Sequence, residues 1–106
     1  MSQLAEIAAR VPDCLIAAWV DPRTATVIEQ QVVRADPEVA FALDAATEVV
    51  RSPERPPRLV LLSARLVHIV QRVAADPNRV LVVICERSAN VGFAVAVVRS
   101  MAEQVP

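Results

Sequence analysis

The sequence predicts an α/β protein of the α+β type, in which helices cover both faces of a five-stranded antiparallel sheet. Apolar, β-branched runs follow one another with only short turns between them, and short connections of this kind join antiparallel strands. Some of these runs are apolar at successive positions, so their sheet needs helices on both faces. Three helical patterns give the element order α-β-β-α-β-β-β-α. A chain of 106 residues is expected to form a single domain, residues 1–106.

The N-terminal part predicts a short helix followed by a β-hairpin. Ser2 can cap the helix, and Pro12 ends it because proline lacks the backbone N–H that a helix interior needs. The helical spacing is carried by Leu4, Ile7, Ala8 and Val11. An apolar run at 14–20 predicts the first strand, and a more polar run at 25–33 predicts a second strand nearer a sheet edge. The turn is expected at 21–24, where proline occupies the first central position.

The middle helix has a clear start signal and an unusually wide apolar face. Asp36 can cap it, Pro37 suits its first turn, and Glu38 complements the helix dipole. At about 100° per residue, its apolar side chains cover an arc of about 200°, twice what packing on one sheet requires. The arc consists of Val39, Phe41, Ala42, Leu43, Ala45, Ala46, Val49 and Val50. We therefore expect a second buried surface around Phe41 and Ala45, although Phe41 could also be a core residue against the sheet.

The second half of the chain predicts three consecutive strands and a last helix. These strands are short, apolar and separated by turn residues, so they extend the antiparallel sheet. The predicted elements are a proline-rich loop at 52–57, strands at 58–62, 65–73 and 80–85, turns at 63–64 and 76–78, and a helix that begins within 88–92 and runs to the C-terminus.

The composition excludes some classes of function. Net charge is −1 and aromatic residues make up 3%, which argues against a nucleic-acid-binding protein. The hydrophobic content of 55% is high for a soluble domain and indicates that a partner covers part of the surface. The apolar runs are far shorter than the roughly 20 residues that span a bilayer, so no membrane insertion is expected. Without a secretory signal pattern, we expect a cytoplasmic protein.

The residues that could carry chemistry are few. Cys14 and Cys85 are in apolar runs, and His68 is the single histidine. A Cys–His pair with His68 as general base is conceivable, but thiols flanked by apolar residues are inert, so a partly exposed strand histidine is favoured. No Cys/His cluster with metal-ligand spacing occurs, and one glycine cannot form a phosphate-binding loop. We expect no cofactor, no metal and no enzymatic activity.

The order of elements resembles the roadblock/dynein light chain family over nearly the whole chain. The most similar part is 79–92, where an apolar strand is followed by a polar break and by Asn-Val-Gly at the start of the last helix. One departure is the first hairpin turn at 21–24, which has no glycine where the family usually has one. The resemblance implies that the middle helix lies on one face of the sheet and the terminal helices on the other.

The resemblance also implies a dimer, formed with a second copy or a paralogue through the middle helix and the third strand. The interface positions would be Phe41, Ala45, Leu59 and Leu61. Related proteins regulate or scaffold Ras-like small GTPases, as activators or exchange-factor components. The implied alternative is a light-chain-like adaptor that dimerises and bridges larger proteins independently of nucleotide. The partner-contact positions would be Glu38, Phe41, Asp44, Ala45 and Glu48.

Overall fold

The described residues form three helices and five strands, which follow one another in the predicted order. A computed structural model describes residues 2–51, 57–87 and 90–105. The helices are α1 (Gln3–Arg10), α2 (Pro37–Val50) and α3 (Val91–Glu103). The strands are β1 (Cys14–Asp21), β2 (Thr26–Val32), β3 (Arg58–Leu62), β4 (Leu66–Arg72) and β5 (Val80–Glu86). Predicted and observed bounds agree within one residue for all five strands.

The strands form one antiparallel sheet in the order β2-β1-β5-β4-β3. The central strand β5 and its neighbour β1 are buried almost throughout, because each has a strand on either side and helices above and below. The prediction that the second strand lies near an edge is confirmed, since β2 is an outermost strand. The other outermost strand is β3, so the two edges of the sheet differ in sequence.

The sheet separates two apolar cores. On one face α1 and α3 pack against alternate residues of the central strands, among them Ala17, Trp19, Leu81 and Val83. On the other face α2 packs against the intervening residues, such as Ala18 and Val82. This confirms the predicted arrangement of one middle helix opposite two terminal helices. Each strand supplies both cores because successive side chains point to opposite faces.

Side-chain caps fix the starts of the three helices. The Ala5 N–H donates to Ser2 Oγ at 3.1 Å, and the Glu38 N–H donates to Asp36 Oδ1 at 2.8 Å, so both predicted caps are confirmed. The third helix is capped by Asn90, whose side chain accepts from the backbone N–H of the third residue after it at 3.0 Å. Each cap satisfies a backbone donor that has no partner within its own helix.

The turn between β3 and β4 lies one residue later than predicted. Leu62 pairs with Val67, and the Ser63 N–H donates to the Leu66 carbonyl at 3.0 Å, so residues 64–65 form the turn rather than 63–64. The Ser63 hydroxyl accepts from the Leu66 N–H at 3.1 Å and closes this turn. The predicted loop at 52–57 lies outside the described residues except for its last position, as do the first two positions of the segment 88–92.

The first hairpin turn is strained at Ala25. Its φ is 53°, in the left-handed region. This conformation costs an L-residue about 1–2 kcal/mol of conformational energy and costs glycine almost none. Asp21 supports the other end of the turn by accepting from the Arg23 N–H at 2.9 Å. The turn therefore needs a left-handed residue although its sequence contains no glycine, and the left-handed position comes just after the predicted turn at 21–24.

We expect Ala25→Gly to stabilise the protein. Glycine relieves the left-handed strain, and this gain exceeds the entropic cost of its more flexible backbone in the unfolded chain. The free energy of unfolding should therefore rise by up to about 1 kcal/mol. The melting temperature should rise by a few degrees, to roughly 4–8 °C at most for a domain of this size. Thermal unfolding followed by circular dichroism measures this shift. The matched control is Ala64→Gly, a turn position without positive φ, which should lower the melting temperature.

Candidate functional site: an apolar shelf between the middle helix and an open edge

The outer surface of α2 carries a large apolar side chain with no cover. Phe41 is 75% exposed, so the interpretation of Phe41 as a core residue against the sheet is wrong. At about 100° per residue, Glu38, Phe41 and Ala45 lie within about 60° of one another around the helix. Glu38 forms an ion pair with Arg65 at the turn between β3 and β4, at 3.3 Å. This flank of α2 therefore faces the β3 side of the sheet.

The strand β3 continues this surface at the sheet edge. Leu59 packs at the margin of the α2 core, and Leu61 lies on the same face because side chains alternate along a strand. Both are only partly buried. Since β3 is an outermost strand, its outer backbone groups have no strand partner among the described residues. The helix α2 lies over the centre of the sheet and leaves this margin uncovered.

His68 lies between the helix flank and the edge strand. It is paired in register with Leu61, and it shares the α2 face with Leu66 and Val70 of its own strand. Its Nε2 atom is buried without a hydrogen-bond partner among the described residues, and burial lowers the pKa of the imidazole. We call the surface formed by Phe41, Ala45, Leu59, Leu61 and His68 the α2–β3 shelf.

Of the four predicted interface residues, Leu59 and Leu61 lie on the α2 face of β3, and Phe41 and Ala45 are exposed on α2. Their role in an interface stays a prediction. Sequence reasoning missed His68 as a member of the shelf. Its spacing of two residues from Leu66 and from Val70 could have placed it on their face of the strand. Its position opposite Leu61 depends on the register of two strands, which the sequence alone does not show.

The acidic residues predicted to contact a partner do not form one cluster. Glu38 is held by Arg65, and Glu48 pairs with Arg51 at 3.6 Å near the other end of the helix. Asp44 lies about 60° from Phe41 around the helix and lines a groove toward β2. The predicted contact set is therefore spread over the outer surface of α2, and its role in partner binding also stays a prediction.

The structure argues against a Cys–His catalytic pair. Cys14 and Cys85 face each other in register and point into the core under α1 and α3. His68 lies on the α2 face, so the sheet stands between the imidazole and both thiols. Burial raises the pKa of Cys14 to about 12 and that of Cys85 to about 11. A thiol in this state is a poor nucleophile, since only the thiolate reacts readily.

In the part of the chain that the structure describes, no helix is both long enough and apolar enough to span a bilayer. Comparisons with protein-family models and with curated proteins gave no match.

The fold is that of known solved structures. MglC from Myxococcus xanthus matches with a TM-score of 0.74 at 15% identity, over 94% of this chain and 90% of that one. An MglB in a tetrameric arrangement matches with a TM-score of 0.73 at 15% identity, over 95% and 80%. A Roadblock/LC7 domain from Streptomyces avermitilis matches with a TM-score of 0.70 at 14% identity, over 95% and 89%. The chain thus has the roadblock fold, which confirms the resemblance at the level of architecture.

We expect both thiols to resist modification in the folded protein. At pH 8, pKa values of about 11 and 12 leave about one thiolate in a thousand or fewer, and burial blocks access as well. A chromogenic disulfide reagent should react at both positions only after denaturation. The control is Ala64→Cys, which places a thiol in an exposed turn and should react at once. Rapid labelling of native Cys14 or Cys85 would contradict the buried placement.

Proposed function

We propose that this protein is a non-enzymatic dimeric regulator or scaffold of a Ras-like small GTPase. The observation that carries the dimer is the α2–β3 shelf, an apolar surface beside an open strand edge. The roadblock fold supports the same proposal, because the resemblance implies pairing through the middle helix and the third strand. The proposed setting is the cytoplasm, and the pairing partner is a second copy or a paralogue.

The proposed dimer joins two β3 strands and covers both shelves. Edge-to-edge pairing would satisfy the free backbone groups of β3, which proteins otherwise protect by other means. Burying an exposed phenylalanine fully contributes about 1.5–3 kcal/mol, and a symmetric interface buries Phe41 twice. Self-association also fits the tetrameric arrangement described for an MglB of the same fold.

The proposed GTPase contact lies on α2, where Glu38, Phe41, Asp44, Ala45 and Glu48 are the candidate positions. The proposed dimer would cover Phe41 and Ala45, so Glu38, Asp44 and Glu48 are the positions that a GTPase could reach in it. Regulation requires that this surface bind one nucleotide state of the GTPase more tightly than the other. The alternative adaptor bridges larger proteins and binds them equally in both states.

We expect Phe41→Asp to convert a dimer into a monomer. A charge placed in an apolar interface loses its hydration without gaining a partner, and this cost exceeds the contribution of the original contact. Multi-angle light scattering should give about twice the chain mass of 11.5 kDa for the wild type and about once that mass for the variant. Phe93→Asp is the matched control, since Phe93 is 56% exposed on α3, on the other face of the sheet. An unchanged mass for Phe41→Asp would place the interface elsewhere.

We expect nucleotide-dependent capture of a small GTPase. The tagged protein is incubated with native lysate in two arms, one with GDP and one with a non-hydrolysable GTP analogue, and bound proteins are identified by mass spectrometry. A Ras-like GTPase enriched in one arm only is the expected result. The Phe41→Asp bait should lose it, and the Phe93→Asp bait should keep it. Identical partners in both arms, with no GTPase among them, would favour the adaptor.

A further inference from the structure

The outer edge of β2 offers unpaired backbone groups that alternate from Glu29 onward, after the register shift opposite Trp19 and Val20. Within the described residues, β1 is the only strand that pairs with β2. Directly after β2, the Val33 N–H donates to the Leu15 carbonyl at 2.9 Å, so the backbone groups of Val33 point inward, toward β1. Because successive residues direct their backbone groups to opposite sides of a strand, Gln30 and Val32 direct their N–H and C=O groups outward.

A largely apolar groove lies beside this edge. It has a volume of about 280 Å³ and runs between β2 and α2. The side chains of Gln30 and Val32 line it, so the residues with outward backbone groups also border the groove. A strand added at this edge would therefore place every second side chain over it. The apolar residues that line the groove include Ile16, Val27, Val32, Val39 and Leu43.

The other face of β2 carries an exposed carboxylate. Glu29 is opposite Trp19 in register, and Trp19 belongs to the core under α1 and α3, so Glu29 lies on that face. It is exposed and has no ion-pair partner among the described residues. A cationic side chain on an added strand would lie opposite Glu29 and complete a cross-strand charge pair.

We propose that the outer edge of β2 binds an extended segment of another protein as an additional strand of the sheet. The segment has apolar side chains at alternate positions, which enter the groove beside α2, and lysine or arginine between them, opposite Glu29. Main-chain hydrogen bonds to Gln30 and Val32 supply the affinity, and the two faces supply the specificity. This site is independent of the proposed dimer, which uses the opposite edge of the sheet.

A second copy of this chain is a poorer occupant of the β2 edge. In an antiparallel pair of β2 strands, the outward residues Gln30 and Val32 of one copy would bond to the same residues of the other. Positions of the same parity would then lie opposite each other, so Glu29 would meet Glu29, Gln31 or Val33. None of these carries the positive charge that the exposed carboxylate lacks.

The test uses a short peptide that alternates valine and lysine, with capped ends. Its control has the same side chains but carries N-methyl groups at the residues whose N–H would bond to β2. Amide exchange of the isotope-labelled protein is followed by NMR. At ten times the dissociation constant, the Gln30 and Val32 amides should exchange about tenfold more slowly. The N-methylated peptide should give no protection.

Two protein variants separate backbone pairing from side-chain effects. Val32→Pro removes an outward N–H without breaking the β1–β2 ladder, since proline is tolerated at a sheet edge, and it should abolish protection of Gln30. Val32→Thr keeps the N–H and should retain binding. Against wild type, a valine–glutamate peptide should bind about threefold more weakly than the valine–lysine peptide, and Glu29→Lys should reverse this order.

Three results would overturn the proposal. Equal protection by the N-methylated peptide would show that no strand is added. Absence of protection at millimolar peptide would show that the edge does not bind extended chains of this chemistry. Protection of Gln30 and Val32 in the protein alone, rising with its concentration and lost in Val32→Pro, would show that a second copy occupies the edge.

Discussion

The need to cover both faces of β1 and β5 constrains the whole molecule. These central strands are buried at nearly every position, so neither face of the sheet can remain in contact with water. Among the residues that the structure describes, only three helices serve this purpose. Two of them share one face, and α2 covers the other face alone. Domains of this size bury a limited share of their surface, so cover is concentrated where the sheet is most apolar.

Both candidate sites follow from the single helix on the second face. Because α2 lies over the middle of the sheet, a margin stays open on each side of it. Toward β3 this margin is the α2–β3 shelf, and toward β2 it is the groove that Asp44 and Val32 line. The two margins differ in chemistry. The β3 edge is apolar on both faces, whereas β2 carries Glu29 and Gln31 on one face and a glutamine among valines on the other, so they suit different partners.

The features that the sequence predicted well depend on local interactions. The caps at Ser2 and Asp36 act within one helical turn, and the strands were recognisable from their apolar runs. The features that it missed depend on tertiary pairing. The turn at 64–65 is set by the register of β3 with β4, and a wide apolar arc on α2 cannot show which part faces the sheet. From the sequence, Phe41 could lie either in the core or on the outer surface of α2, and the position of α2 over the sheet places it on the outer surface.

The same dependence on register explains the place of His68. From the sequence alone, a strand histidine could be paired with a cysteine. The alternation of side chains along β4 places His68 on the α2 face instead, and its register opposite Leu61 places it on the shelf. Its Nε2 atom is already buried without a hydrogen-bond partner among the described residues, so the folded chain bears this cost of about 1–3 kcal/mol before any partner binds. A partner that covers the shelf therefore adds no further desolvation cost at this nitrogen. Selection between a second copy and a paralogue has to come from the exposed apolar side chains of the shelf and from the backbone groups of β3.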